Sequence, residues 1–308
     1  MDIIKRKYFY FAISLLIIIP GIVSMLLWGL RLSIDFIGGS RIEVQSAKFK
    51  VQSSKNELKG VFKEQKIEVS SMQQSGTDIF VIRTKSLDQN VHQKLKLAIE
   101  KKYPEAKELS FQTVGPTIGK ETTINAIKAV VISSLLIILY IAWSFRKVPK
   151  PANSFRFGIC AIIALIHDVL VVVGVFSLLG HFWGVEVDSL FVTAILTIIG
   201  FSVHDTIVVF DRIRENLRRM PGNSFATIVN DSILQTLGRS LNTSLTVLLV
   251  LFTLLLFGGE SIRWFVVALL VGIISGTYSS IFNAAPLLVV WEEWSRKKQT
   301  NGVSYFHG

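Results

Sequence analysis

Long apolar runs separated by short polar breaks make up most of the chain, and one long polar stretch interrupts them. A membrane-spanning helix needs about 20 mainly apolar residues, because the hydrocarbon core is about 30 Å thick and a helix rises about 1.5 Å per residue. Six stretches meet that length, at roughly 8–28, 124–144, 157–179, 188–210, 236–258 and 264–290. The first follows Lys5-Arg6-Lys7, as a signal peptide would. Its apolar part is too long for a usual signal core and no small-x-small cleavage site follows cleanly, so an uncleaved anchor is expected.

Between the first two runs the periodicity changes. Residues 39–46 (GSRIEVQS) read as a strand, and 52–65 as a helix with Leu58, Val61 and Phe62 on one side. Strands are expected at about 66–73 and 78–84, joined through Ser75-Gly76 as a hairpin. A second helix over 88–102 carries Val91, Leu95 and Ile99 at i, i+4 and i+8, with His92 on its polar, exposed side, and 108–114 gives a last strand. The order βαββαβ matches a ferredoxin-like unit. The expected fold class is a membrane all-α six-helix bundle with an inserted α+β ferredoxin-like extracytoplasmic domain. The divisions are 1–30 (first transmembrane helix), 31–120 (the α+β domain), 121–295 (five-helix transmembrane region) and 296–308 (cytoplasmic tail).

Charge sets the orientation. Of the 308 residues 18% are charged, below the roughly one quarter usual for a soluble domain, and the formal net charge is +11. A basic balance can mean nucleic-acid binding. Here the basic residues outside 31–120 flank apolar runs and read as topology signals, so no nucleic-acid partner is expected. Lys5, Arg6 and Lys7, the loop with Arg146, Lys147, Lys150 and Arg156, the segment with Arg212, Arg214, Arg218 and Arg219, and Arg296-Lys297-Lys298 all fall on one side of an alternating path. The short loops of the other side carry Glu186, Asp188 and Glu260. Both termini are therefore expected in the cytoplasm of a multi-pass protein surrounded by lipid. The single cysteine, Cys160, excludes an internal disulfide, and no metal-ligand spacing or nucleotide-binding loop is present.

Ionisable groups inside apolar runs carry the candidate chemistry, since each costs roughly 2.5–3.5 kcal/mol at mid-bilayer on insertion scales. His167, Asp168, Asp205 and Arg239 stand out. Asp205, in the fourth run, and Arg239, in the fifth, share a depth near the inner ends of neighbouring helices. An opposite charge within ~4–6 Å would keep the carboxylate ionised. That arrangement suits a proton-responsive switch and equally suits a structural ion pair. The fifth run carries a polar stripe of Arg239, Thr243, Thr246 and Thr253, with Asn242 beside it. The fourth has Thr193, Thr197, Gly200 and His204 on one side. Such stripes form either interhelical hydrogen bonds or a wet path. His167-Asp168 lies about halfway through the third run as a second proton-path or packing position, and Gly272 and Gly276 form a GxxxG packing signal.

Three stretches together resemble the SecF family of the bacterial SecDF protein-export complex, within the resistance-nodulation-division superfamily. They are GLRLSIDFIGGSRIEV (Gly29–Val44), ALIHDV (Ala164–Val169) and GFSVHDTIVVFDRIREN (Gly200–Asn216), the last followed by QTLGRSLNTS (Gln235–Ser244). The resemblance covers essentially the whole chain. It implies a non-enzymatic subunit of the bacterial plasma membrane that pairs with SecD, associates with the SecYEG channel, and uses the proton-motive force to assist late translocation of a polypeptide. No cofactor beyond the proton gradient is implied. Asp205 matches the family's membrane aspartate and Arg239 its partner arginine. Asp35, Gly38 and Gly39 match its DF-x-GG motif, where the glycines would permit a tight turn into the first strand. The chain departs from the pattern at His204, where asparagine is usual, and at Ser33, where glycine is common. Two other readings remain at this point: a half of a proton-coupled small-molecule exporter of the same superfamily, and a passive assembly scaffold.

Overall fold

The computed structural model describes residues 2–46, 53–75, 78–146, 148–149 and 153–303. Gly76 of the expected hairpin, Lys147 and Lys150 of the basic loop, and residues 304–308 of the tail lie outside the described residues. In chain order the elements are a 3-10 turn (Ile4–Arg6), α1 (Lys7–Trp28), α2 (Ile34–Ile37), β1 (Gly39–Gln45), α3 (Ser53–Glu64), β2 (Val69–Ser75), β3 (Ile79–Thr84), α4 (Gln89–Lys102), β4 (Lys107–Val114), α5 (Pro116–Ser144) and α6 (Ser154–Trp183). Then come α7 (Ser189–Arg219), α8 (Phe225–Phe257), a 3-10 turn (Glu260–Ile262), α9 (Arg263–Ser279), a π-helical turn (Ser280–Ala284) and α10 (Ala285–Val303). Six of the helical stretches are long and apolar enough to cross a membrane. They form one compact unit from Met1–Arg31 and Lys128–Gly308, and a second unit comprises Leu32–Ile127.

The helices run beyond the apolar stretches that announce them. α7 continues nine residues past the apolar run to Arg219, and α8 begins eleven residues before its own, at Phe225. Outside hydrocarbon a helix needs only one apolar face, and Ile213 and Leu217 in the extension of α7 and Phe225, Ile228, Val229 and Ile233 in that of α8 supply it, all buried. Side-chain caps start three of the spans: Asn153 for α6, Asp188 for α7 and Ser224 for α8 each accept a backbone N–H of the first turn.

Small residues bring the spanning helices close, as expected where lipid removes the hydrophobic drive between helices. Gly21 of α1 faces Gly174 of α6 so closely that a Cβ on Gly21 would lie 2.9 Å from the Gly174 Cα. One turn on, Ser24 and Ser177 hydroxyls meet at 2.7 Å. On α9 the GxxxG glycines face α7, with Gly272 under the Ile198 side chain and Gly276 under Ser202. At one end Phe145, Phe157 and Phe210 form a ring cluster, Arg156 pairs with Glu292, and Lys7 pairs with Glu293 at 2.7 Å. The outer faces of α5 and α8 stay uncovered, with Leu135, Leu139, Leu245 and Leu249 exposed, as a lipid-facing surface requires.

The second unit holds a four-stranded antiparallel sheet in the order β2-β3-β1-β4. Ile42 of β1 lies opposite Ile82 of β3 and Phe111 of β4. Ile42, Val44, Met72, Phe80 and Ile82 of the strands share one buried cluster with Leu58, Val61 and Phe62 of α3 and with Leu95 and Ile99 of α4. Both helices therefore cover the same sheet face. Two expectations for α4 are corrected. Val91 is exposed, because the buried stripe begins only at Leu95. His92 is not on an open polar side: its ring stacks on Phe111 with centroids 3.6 Å apart, and its Nε2 lies 2.8 Å from Glu108 Oε2.

Candidate functional site

The DF-x-GG segment forms a compact turn. Ser33 caps α2 by accepting the Asp35 N–H at 3.1 Å, a role the glycine common at this place cannot take. Gly38 and Gly39 adopt φ values of +75° and +119°, and β1 begins at Gly39. A Cβ on Gly38 would sit 2.9 Å from the Pro116 Cα, and one on Gly39 would sit 2.7 Å from the Thr84 carbonyl oxygen. Gly119 completes the turn, since a Cβ there would meet the Gly38 nitrogen at 2.8 Å. Positive φ and close backbone approach both demand glycine.

Asp205 is buried on α7, with 2% of its surface exposed. Thr277 of α9 donates to its Oδ2 at 3.4 Å, and Thr277 shares a 2.5 Å hydrogen bond with Ser244 of α8. The carboxyl thus sits at a three-helix junction built from hydroxyls. His204 Nδ1 lies 3.9 Å from Asp205 Oδ1, but the His204 side chain is 63% exposed and points away from the core.

The expected Asp205–Arg239 ion pair is not formed. Arg239 is exposed, and among the described residues its side chain makes no hydrogen bond or ion pair. Equal depth on neighbouring helices fixes height but not rotation. α8 turns Thr236, Ser240 and Ser244 inward at i, i+4 and i+8, and Arg239 stands one residue, about 100°, away from that line. Asn242, Thr243, Thr246 and Thr253 share its exposure, as do Thr193, Thr197, Gly200 and His204 of α7. The threonine hydroxyls of this uncovered face are satisfied by their own helices: Thr243 donates to the Arg239 carbonyl at 2.9 Å, Thr246 to Thr243 at 2.8 Å and Thr197 to Thr193 at 2.8 Å.

Asp168 is fully buried on α6. Its Oδ1 lies 2.8 Å from Ser275 Oγ and 3.0 Å from His167 Nδ1, and its Oδ2 lies 2.5 Å from Ser202 Oγ and 2.7 Å from Ser279 Oγ. Sequence reasoning singled out the acid and missed the cradle. The signal was present in the spacing of Ser275 and Ser279, one turn apart and interleaved with the Gly272/Gly276 pair. It missed Thr277 and Ser244 around Asp205 for the same reason: a serine or threonine in an apolar run carries no mark of which carboxyl it will meet. The DRIREN segment joins α7 to α8. Asn216 donates to Ser232 and to Gln235, both at 2.9 Å, and Arg212 bonds Gln235 and Glu215 at 2.5 and 2.6 Å.

Comparison with known proteins gives the lineage. The model of the family described as protein export membrane protein SecD/SecF, C-terminal, matches residues 94–294, and the SecD/SecF GG motif matches 28–48. The chain is 50% identical to the protein translocase subunit SecF of Thermobaculum terrenum over 95% of this chain and 94% of that one. It is 46% identical to the SecF subunit of Anaerolinea thermophila over 96% of each chain. Among solved structures, SecDF from Thermus thermophilus, described as a translocon-associated membrane protein, superposes with a TM-score of 0.82 at 34% identity. That match covers 95% of this chain and 39% of the SecDF chain, so the present chain spans about two fifths of that longer protein. A likeness running the length of the chain makes this multi-pass membrane protein a member of the SecF family of protein-export membrane proteins.

Proposed function

We propose that the chain is the SecF-type subunit of a proton-driven export motor that assists late steps of polypeptide translocation. It works with SecD and the SecYEG channel in the bacterial plasma membrane, both termini cytoplasmic, without catalysis of its own. The observation that carries this reading is a buried carboxyl, Asp205, bridged by hydroxyls to two other spanning helices beside a polar face that the chain leaves uncovered. A proton reaching Asp205 neutralises it and changes what Thr277 and Ser244 bond to, so α7, α8 and α9 repack. Arg239 stands on the uncovered face, where a closing partner excludes lipid and holds its charge near the carboxyl. The repacking then alters how the 32–127 unit engages an emerging polypeptide. The antiparallel order β2-β3-β1-β4, with α3 and α4 on one face, supports reading that unit as ferredoxin-like.

The test is export kinetics in membrane vesicles with an imposed proton gradient. Asp205→Asn is expected to abolish the gradient-dependent part of export while leaving insertion and abundance unchanged, and Arg239→Met to reduce the same part. Undiminished export in D205N would sink the motor reading and leave a scaffold. Lost drug resistance with intact export would indicate the exporter reading.

A further inference from the structure

The segment that leaves α1 is bonded along its length, unlike a free linker. Trp28, the last residue of α1, stacks its ring on His181 of α6 with centroids 3.8 Å apart. The next carbonyl, that of Gly29, accepts the Ser177 hydroxyl at 2.8 Å. Two residues on, the Arg31 carbonyl accepts the Val187 N–H at 2.8 Å, and the Arg31 guanidinium pairs with Glu186 at 3.6 Å. Gly180, in the last turn of α6, lets the segment lie close. A Cβ there would sit 3.4 Å from the Arg31 Cβ and 3.2 Å from the Val185 carbonyl oxygen.

These bonds fall into two sets. Trp28 and Gly29 hold the C-terminal end of α6, whereas Arg31 holds the connection that leads into α7. That connection is tightly built. Gly184 ends α6 in the left-handed conformation, Val185 and Val187 are buried, and Asp188 caps α7 by accepting the Phe191 N–H at 2.9 Å. Glu186 and Val187 therefore stand immediately before the first turn of the helix that carries Asp205. Gly29 lies between the two sets, with a φ of +67° and open space where a Cβ would project. Beyond Arg31 the chain enters the second unit, where the Leu32 carbonyl accepts Nη1 of Arg83 at 3.3 Å and Ser33 caps α2.

We infer that Arg31 and Glu186 are positioning residues that pass a displacement of α7 to the second unit. The inference rests on the reading of Asp205 as the trigger. When α7 shifts, its capped first turn carries Glu186 and Val187 with it. The Val187 N–H lies in buried surroundings, where a broken bond leaves a polar group without water to replace its partner, so the bond holds and Arg31 follows. One hydrogen bond fixes a point and leaves the segment free to swivel about it. The Arg31–Glu186 pair, with side chains 33% and 15% exposed, supplies the second point and removes the swivel. Gly29 absorbs the change of angle, as glycine at a hinge can, while Trp28 stays on His181. The displacement enters the second unit at Leu32, which Arg83 ties to β3.

The experiment reads α7 and the second unit separately. Pulsed electron–electron resonance distances are measured on the full chain in lipid vesicles, with Cys160 replaced by Ala. Labels at Leu16→Cys and Leu190→Cys follow the start of α7 against α1, and labels at Leu16→Cys and Lys94→Cys follow the second unit against α1. Asp205→Asn, which mimics the neutral acid, is expected to shift both distances. In Arg31→Glu and in Glu186→Arg the α7 shift stays and the second-unit shift is lost. The exchanged pair R31E/E186R restores it, a recovery that damage to the fold would not allow. A second-unit shift that survives in both single variants overturns the inference and makes the contacts a static staple. A shift of α7 with none in the second unit of the otherwise unaltered chain overturns it also, and leaves the Asp205 reading standing. If neither distance responds to D205N, the repacking of the Asp205 reading is absent and the inference falls with it.

Discussion

Gly38 meets two constraints at once. Its φ of +75° is a conformation side chains rarely adopt, and a Cβ there would press on the Pro116 Cα at 2.9 Å. Gly29 has a similar φ of +67° but open space around it. Gly38→Ala is therefore expected to cost the backbone strain of about 1–3 kcal/mol and a displacement of the first turn of α5 besides, whereas Gly29→Ala carries the strain alone. Hydrogen exchange of the β1 amides checks this. Exchange should speed up markedly in G38A, and equal effects of the two variants would show that the close approach is relieved without cost. The same scale separates what is legible from what is not. The DFIGG string announces a turn by residue type alone, because few other residues can occupy those angles. His92 and Arg239 announce nothing, because their partners are set by neighbouring elements: Phe111 across the sheet covers His92, and the inward line of Thr236, Ser240 and Ser244 leaves Arg239 outside.

Between elements, packing is decided by a few small residues. Gly272 of α9 receives the Ile198 side chain of α7, whose carbons would clash with an added Cβ. Gly272→Ala therefore overpacks the contact and is expected to destabilise the bundle by about 1–3 kcal/mol. Ile198→Ala removes the atoms in conflict, so the double variant should recover part of that loss. A double-mutant cycle of thermal unfolding in detergent measures the coupling, and strict additivity would show that the helices separate instead of clashing. This pairing was half visible in advance. The GxxxG at 272–276 marks α9 as a close-packing helix, but nothing in the string names α7 as its partner. The six spans were legible because apolar length is a local property set by membrane thickness. The amphipathic extensions of α7 and α8 were not, since an apolar stripe outside hydrocarbon becomes visible as helix only against its neighbour.

Across the whole molecule, what the chain leaves uncovered matters as much as what it buries. The outer surfaces of α1 and α5 are apolar, as lipid requires, with Leu16 and Leu139 open. The α7–α8 face instead exposes Thr193, Thr197, His204, Arg239, Asn242 and Thr243 along membrane-spanning helices. Back-bonding to helix carbonyls satisfies the threonines, but among the described residues the side chains of Arg239 and Asn242 have no hydrogen-bond partner, and an arginine held against hydrocarbon carries an insertion cost, roughly 2.5–3.5 kcal/mol at a helix centre and less near an end. A partner's helices covering this face remove that cost, which is how the proposed pairing with SecD follows from physics as well as lineage. The prediction is specific to position. With the buried Cys160 replaced by Ala, nitroxides placed at Thr197→Cys and Thr243→Cys in the chain alone should collide freely with oxygen dissolved in the bilayer. Collision should fall severalfold on reconstitution with SecD, while a label at Leu16→Cys stays as accessible as before. If all three positions respond alike, the partner sits elsewhere and the polar face of α7 and α8 meets lipid directly.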